Sequence, residues 1–260
     1  MKETRIKTKI KEGQMAFMAT VDMADPALVE IIGLAGYDAV FIDIEHSAFD
    51  FQLVEEMIRA ADAVGIDAIV RVPENNQKTI GRVLDMGAEG IRVPHIKGRE
   101  DALAAVQAVR YAPLGKRGMA GPSSRAMQYG AVSMAEHKKT SNDEIVLIVM
   151  IEDKEVIPEA EAIASIDGLD FVSVGAACLS LSLGVGPGDP KLKKAMEDIA
   201  AGVRRGGKAK LSLNLDQSVL PMNAAQLREL GCNFAKTGGA LSPLLKGYKE
   251  QLQEYRAQLA

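Results

Sequence analysis

Several short segments of this sequence place a carboxylate, a cation or an imidazole at the end of an apolar run. They are Asp43-Ile-Glu45-His46-Ser47, Arg71-Val-Pro73, Arg92-Val-Pro-His95 and Glu152-Asp153, with Cys178 and Lys236 in comparable positions. A His beside two carboxylates suits proton transfer, because imidazole titrates near neutrality and a carboxylate can orient it. The chain holds only three His, which favours that reading of His46 over a satisfied loop histidine. Arg71 at the end of a buried strand needs an anion. Asp43 or Glu45 can supply it structurally, or a substrate carboxylate functionally. Glu152 closes an apolar run where a lone charge is costly, so a metal, a cation or a raised pKa must compensate. His95 fits the core and the site equally well. His137, inside Glu136-His-Lys-Lys139, reads as solvated surface.

The elements that must hold these groups show a repeat. Gly36-Tyr-Asp38, Gly65-Ile-Asp67, Gly87-Ala-Glu89, Gly168-Leu-Asp170 and Gly231-Cys-Asn233 each lead into a short run rich in Val, Ile or Phe. A Gly after an apolar-periodic segment suits a helix C-cap. The runs that follow suit buried parallel strands. Helical patterns precede them over residues 27–34, 52–63, 78–86, 158–166 and 224–230, and further apolar runs at 15–21, 145–151 and 209–215 bring the strands to eight. Strands alternating with helices imply right-handed crossovers and a parallel sheet. Eight such units in 260 residues predict an α/β fold of one domain, a TIM (β/α)8 barrel over residues 1–260. Residues 1–13 form a polar N-terminal segment and 240–260 a C-terminal helix. A doubly wound sheet would more often carry a Gly-rich phosphate loop after its first strand, and Met18–Asp25 contains none, so no nucleotide or flavin is expected.

In such a barrel the chemistry sits at the C-terminal strand ends. Asp43, Glu45, His46, Arg71, Arg92, His95, Glu152, Cys178, Asn214, Asp216 and Lys236 all fall there, so the ionisable groups collect at one mouth. Between Arg110 and Ser141 a stretch rich in Gly and Pro breaks the rhythm. It reads as a long βα loop ending in a short helix near 132–138, of the kind found at sites and interfaces. Leu244, Leu245, Tyr248 and Leu252, at helical spacing, give residues 241–259 an apolar face that could cover its own barrel or a partner subunit.

Composition narrows the function classes. A net charge of −4, no Trp, five Tyr and six Phe provide neither the basic patch nor the stacking aromatics of a nucleic-acid binder. Two cysteines, Cys178 and Cys232, are too few for a disulfide framework or a closed zinc site. No apolar run approaches the ~20 residues that span a bilayer, so no membrane partner is expected. The basic start Met1–Lys11 lacks the apolar core of a secretory signal and reads as a solvated helix, which makes the cytoplasm the expected location.

From about Gln14 to Leu245 the sequence resembles the HpcH/HpaI aldolase family. Its most specific segment is Gly36-Tyr-Asp-Ala-Val-Phe-Ile-Asp-Ile-Glu-His-Ser47, supported by Ile69–Pro73, Gly87–Pro94, Arg110–Gly118, Met150–Glu152 and Gly175–Ser180. The resemblance implies a class II, metal-dependent aldolase with a TIM-barrel fold, assembled as a trimer or hexamer. Such enzymes cleave 4-hydroxy-2-oxo acids to pyruvate, or a close analogue, and an aldehyde. By position it implies His46 as the catalytic His beside Asp43 and Glu45, and Arg71 as the group that polarises the keto oxygen. It implies Glu152 as a metal ligand and Asp85 as a carboxylate reaching in from a neighbouring subunit. Gly175, Ala176, Ala177 and Ser212 join Arg71 as substrate contacts.

The sequence departs from the family in one neighbourhood. Where the family has Gly-Pro-Ala-Asp-Leu-Ser, with Asp as the second metal ligand, this chain has Gly175-Ala-Ala-Cys178-Leu-Ser180, and Met150 stands where Gln is common. Cys is a soft ligand, better suited to Zn²⁺ or Co²⁺ than to Mg²⁺. Three readings follow. One is an aldolase keeping a divalent ion (Mg²⁺, Mn²⁺ or Co²⁺) through Glu152, with Cys178 or water completing the shell. Another is a metal-independent enolate-forming synthase like the relatives that make citrate in siderophore biosynthesis. The third is a catalytically weak oligomeric binding protein. A small anionic 2-oxo acid and further copies of the chain are the expected partners.

Overall fold

A computed structural model describes residues 3–215 and 217–259. In chain order the elements are α1 (Arg5–Lys11), β1 (Ala16–Val21), α2 (Pro26–Leu34), β2 (Ala39–Asp43), α3 (Phe51–Val64), β3 (Asp67–Arg71), α4 (Gln77–Asp85), β4 (Gly90–Val93) and α5 (Arg99–Val109). They continue with α6 (Met134–Glu144), β5 (Val146–Ile151), α7 (Ala160–Ala164), β6 (Phe171–Val174), α8 (Ala176–Leu183), α9 (Pro190–Gly206), β7 (Lys210–Asn214), α10 (Ala224–Glu229), β8 (Cys232–Gly239) and α11 (Leu241–Ala257). The eight strands close into a barrel in sequence order, each parallel to the next, with β8 returning to β1. This is the expected TIM barrel. No helix among the described residues is long and apolar enough to cross a membrane.

The repeated Gly-x-acid punctuation proves to be a construction device. Gly65 takes φ 74° in closing α3, and the other four repeat glycines share its left-handed backbone. The acid two residues later then binds backbone N–H groups at the foot of the barrel. Asp38 accepts from Phe17 N at 3.0 Å, Glu89 from Ala68 N at 2.9 Å, and Asp170 from Leu147 N at 2.8 Å. Each thus ties its own strand to the preceding one. Asp67 is turned to another use, accepting from Arg5 N at 3.1 Å and Ile6 N at 2.8 Å in α1.

Strand residues alternate between two apolar populations. Val40, Ile42, Val70, Ile91, Val149 and Val172 face outward under the helices. Met18, Phe41, Ile69, Ile148, Phe171 and Phe234 face inward. The inward series continues toward the strand ends as Thr20, Asp43, Arg71, Arg92, Ser173, Ser212 and Lys236. The lower half of the interior is therefore apolar and the upper half polar.

Three expectations change on folding. The basic segment before residue 13 is not a solvated helix throughout: Ile6 is completely buried in the inward cluster, and α1 closes the foot of the barrel. His137 is buried rather than on the surface, edge-on to Tyr111 at 5.7 Å between ring centroids. Its burial, and then the nearby charge of Arg117, lower its pKa to about 4, so it is neutral around pH 7. The stretch from Arg110 to Ser141 follows α5 and leads through α6 into β5, so it is an αβ connection on the foot side and not a loop of the catalytic mouth.

If α1 belongs to the core, Ile6→Ala should lower the unfolding free energy by about 2–5 kcal/mol. Lys11→Ala, at an exposed position on the same helix, should stay within about 0.5 kcal/mol of the parent. Urea denaturation of both variants measures this, and a neutral Ile6→Ala would show that α1 is dispensable.

Candidate active site

At the mouth, β2 and β3 lie in register so that Asp43 is opposite Arg71. The Arg71 guanidinium donates from Nε to Asp43 Oδ1 at 3.0 Å and from Nη2 to Oδ2. Its Nη1 stands 3.0 Å from Glu45 Oε2, an ion pair outside hydrogen-bond geometry, so that buried oxygen retains an unused acceptor. The same oxygen is 3.7 Å from His46 Nε2. Asp43 Oδ1 also accepts from Glu45 N at 3.0 Å and His46 N at 3.3 Å, which fixes the turn carrying both side chains. Burial acts to raise the Asp43 pKa. The hydrogen bond and charge of Arg71, with the two backbone N–H groups, outweigh it and hold the carboxyl below its usual range. Of the two partners open to Arg71, both carboxylates engage it.

The second cluster spans three loops. Glu152, directly after β5, is almost wholly buried, and its Oε2 accepts from His95 N at 2.9 Å. His95 adopts φ 46°, uncommon for a residue with a Cβ, and brings Nδ1 to 3.7 Å from the same oxygen. Cys178 in the first turn of α8 completes the group: one donor atom from each of His95, Glu152 and Cys178 lies within 4.8 Å of the others. Burial, then the charge of Glu152, push the Cys178 thiol up to about 11. Gly175 is required here, since a Cβ would meet Glu152 Oε1 at 2.1 Å. Ala176 and Ala177 follow it in the first turn of α8, where backbone N–H groups lack helical acceptors.

A third group lies beneath Arg71. Arg92 donates from Nη2 to Ser173 Oγ at 2.7 Å, and Lys236 Nζ donates to Thr20 Oγ1 at 3.0 Å. Arg71, Arg92 and Lys236 stand 5.6, 5.2 and 5.0 Å from the centre of the Phe41 ring. Burial, then the charges of Arg92 and Arg71, lower the Lys236 pKa to about 7. Burial and then Arg71 bring Arg92 to about 10.

The mouth thus unites Asp43, Glu45, His46, Arg71, Gly175, Ala176, Ala177, Glu152 and Cys178, with Ser212 buried on the inward face of β7. Asp216 lies outside the described residues. Asp85 ends α4 on the foot side, where it binds Arg117 at 3.0 Å, so a single chain does not bring it to His46. The sequence left His95 open, and the structure sets it beside Glu152. Arg92 and Lys236 drew no role from the sequence, although Ile91-Arg92-Val93 carried the signal: a charge alternating with apolar residues on a strand buried on both faces.

The HpcH/HpaI aldolase/citrate lyase profile matches residues 16–239, from the first residue of β1 to the last of β8, and the chain belongs to this family. It is accordingly a carbon–carbon lyase of the aldolase type. It is 30% identical to a hydroxypyruvate/pyruvate aldolase of Pseudomonas aeruginosa over 95% of this chain and 90% of that one. It is 34% identical to a 2-keto-3-deoxy-L-rhamnonate aldolase of Klebsiella pneumoniae over 81% and 78%. Among solved structures it resembles citrate synthase SbnG, with a TM-score of 0.84 and 30% identity over 97% of each chain.

The position of Lys236 has a pH signature. Its folded pKa of about 7 lies below the unfolded value of about 10.4, so between them the unfolded state holds the extra proton and stability rises with pH. Lys236→Met removes this dependence while leaving Arg92, Arg71 and Asp43, the charged groups facing that site, in place. The stability of the variant relative to the parent should be greatest below about pH 7 and decline toward about pH 10. A difference that stays constant over that range in denaturation curves would contradict a buried, proton-shedding Lys236.

Proposed function

We propose that the mouth of the barrel makes or breaks the C3–C4 bond of a 4-hydroxy-2-oxo acid through a pyruvate-type enolate, assisted by a divalent ion. The observation that carries this reading is the adjacency of two sets of groups: Arg71 clamped between Asp43 and Glu45 with His46 beside them, and the His95, Glu152 and Cys178 donors. His46 takes the proton of the 4-hydroxyl, with Glu45 orienting the imidazole and offsetting its charge. The C4 oxygen then forms the aldehyde carbonyl, the C3–C4 electron pair becomes the enolate, and the proton held by His46 can return to C3. Arg71, fixed by its two carboxylates, keeps further N–H groups to stabilise the negative oxygen. The first-turn N–H groups of Ala176 and Ala177 receive the substrate carboxylate.

One imidazole nitrogen, one carboxylate oxygen and one sulfur resemble the three-ligand sets of catalytic zinc sites, so the donors fit Zn²⁺ or Co²⁺ better than Mg²⁺. When bound, such an ion supplies Lewis-acid stabilisation of the enolate oxygen. The likeness to citrate synthase SbnG supports a second reading, a bond-forming synthase that works without metal through Arg71, His46 and backbone N–H groups. Chelation separates the two. Under the first, exhaustive EDTA treatment abolishes release of a 2-oxo acid, and Zn²⁺ or Co²⁺ restores it better than Mg²⁺. Undiminished turnover after chelation would favour the synthase. His46→Ala and Arg71→Ala should each lower kcat/KM by at least about 100-fold with far-UV circular dichroism unchanged. Parent-like rates in either variant would overturn its role.

The proposal extends to assembly. No residue of α11 is buried, and Leu244, Leu245, Tyr248 and Leu252 are all exposed. A groove of about 680 Å³ between α2 and α11 is lined by Met23, Leu28, Ile31, Pro243, Leu244 and Tyr248. This exposed apolar face supports the reading of a homo-oligomer in which a second copy covers it and Asp85 of one subunit serves the mouth of another. Leu244→Asp should shift the light-scattering mass toward the monomer and reduce activity with it. An unchanged mass would remove α11 from the interface.

A further inference from the structure

The mechanism above leaves Arg92, Lys236 and Ser212 without work. Arg92 is completely buried, yet its Nε and Nη1 have no hydrogen-bond partner among the described residues. Lys236 reaches only Thr20, and among the described residues neither cation has a carboxylate within ion-pair distance. Asp43 and Glu45 are engaged by Arg71, while Glu152 sits with His95 and Cys178 and influences Arg92 only across space. On the facing strands, Ser212 Oγ is buried without a partner among the described residues, and so is Asn214 Oδ1. Strand register puts Ser212 next to Ser173, and Asn214 next to Lys236. Arg92, Ser212 and Asn214 thus leave buried polar atoms unsatisfied beneath the site, next to the Lys236 ammonium, whereas the other such atoms lie on Glu45 at the mouth and on Arg117, Ser124 and His137.

We propose that Arg92, Lys236 and Ser212 form a subsite beneath Arg71 for a second carboxylate, so that the preferred substrate is a short dicarboxylic 2-oxo acid. A carboxylate supplies about four acceptor positions, enough to meet the free Arg92 nitrogens, the ammonium and the Ser212 hydroxyl together. Its negative charge offsets cations that, among the described residues, no carboxylate contacts directly. The chain joining the two carboxylates must be short. All three cationic groups lie within 5.6 Å of one ring centre, so the second carboxylate sits a few bonds from the group held by Arg71. The remaining donors of Arg92 and Lys236 exclude a second metal ion from this layer.

This inference rests on the reading of the mouth as a 2-oxo-acid site, but its test needs neither turnover nor metal. Malonate and acetate are titrated calorimetrically into the full-length, EDTA-treated protein at about pH 6, below the Lys236 value of about 7. Malonate should bind at least about tenfold more tightly than acetate. Lys236→Met and Ser212→Ala should each erase most of that preference, and Lys236→Met should melt no lower than the parent without ligand, because it removes a buried charge that no carboxylate contacts directly. Equal binding of the two anions by the parent, or a malonate preference that survives in both variants, would overturn the subsite. So would a marked loss of Tm in Lys236→Met, which would make the lysine a structural group. If the malonate preference holds while the cleavage assay fails, the subsite stands and the aldolase reading falls; the reverse outcome removes the subsite alone.

Discussion

Arg71 between Asp43 and Glu45 is the interaction on which the mouth depends. It joins β2 to β3 at their C-terminal ends, and the Asp43 carboxylate that receives it also binds the N–H groups of Glu45 and His46. One carboxylate therefore sets the guanidinium, the loop path and the position of the imidazole. Such a group cannot be traded for a neutral amide without cost to all three, because charge-assisted hydrogen bonds to the guanidinium and two backbone donors converge on it. The depressed Asp43 pKa is the energetic expression of that convergence. It sits below the unfolded value, so the stabilisation is present above the ordinary carboxylate range and lost as acid protonates the group.

The fold was legible because its signals are local. A glycine with positive φ and an acid two residues later mark the foot of successive strands, and short runs of Val, Ile and Phe mark the strands themselves. His46, Arg71, Glu152 and Cys178 were legible for a related reason: strand ends fix the mouth in a barrel, and the mouth is where charge is tolerated. What could not be read required knowing which distant strands meet. His137 looked solvated because Glu136, Lys138 and Lys139 surround it in sequence, yet one face of α6 turns inward to Tyr111. The basic character of residues 1–11 likewise hid Ile6, a single apolar side chain on a charged helix, which caps the inward cluster. His95 depended on a left-handed backbone turn that no pattern announces.

The donor set shows how one departure is accommodated by its surroundings. Replacing a hard carboxylate by Cys178 would leave Glu152 as a lone oxygen ligand in a nearly dry position. The backbone at His95 supplies an N–H to that carboxylate and an imidazole nitrogen close by, so the cluster gains a borderline nitrogen ligand together with a soft sulfur. Burial and then the charge of Glu152 hold the thiol up near 11, so a cation bound here would have to displace its proton.

The interior charge layer follows from the same two-residue alternation that builds the barrel. Once Asp43 and Arg71 face inward at the ends of β2 and β3, the neighbouring inward positions share a low-dielectric space in which every further charge is strongly felt. A fold selected for stability alone would fill those positions with apolar side chains, as it does in the inward cluster with Ile69, Ile148, Phe171 and Phe234. Arg92 and Lys236 instead stand there and lose basicity, first through burial and then through the charge of Arg71, with Arg92 adding to the effect on Lys236. Their desolvation is a standing cost to the fold. Binding an anion would relieve it, because the attraction is strongest where water is already excluded. The closed strands and the apolar layer beneath keep the three cationic groups from moving apart, so the rigidity of the lower barrel is what maintains an electrostatic demand in the upper one.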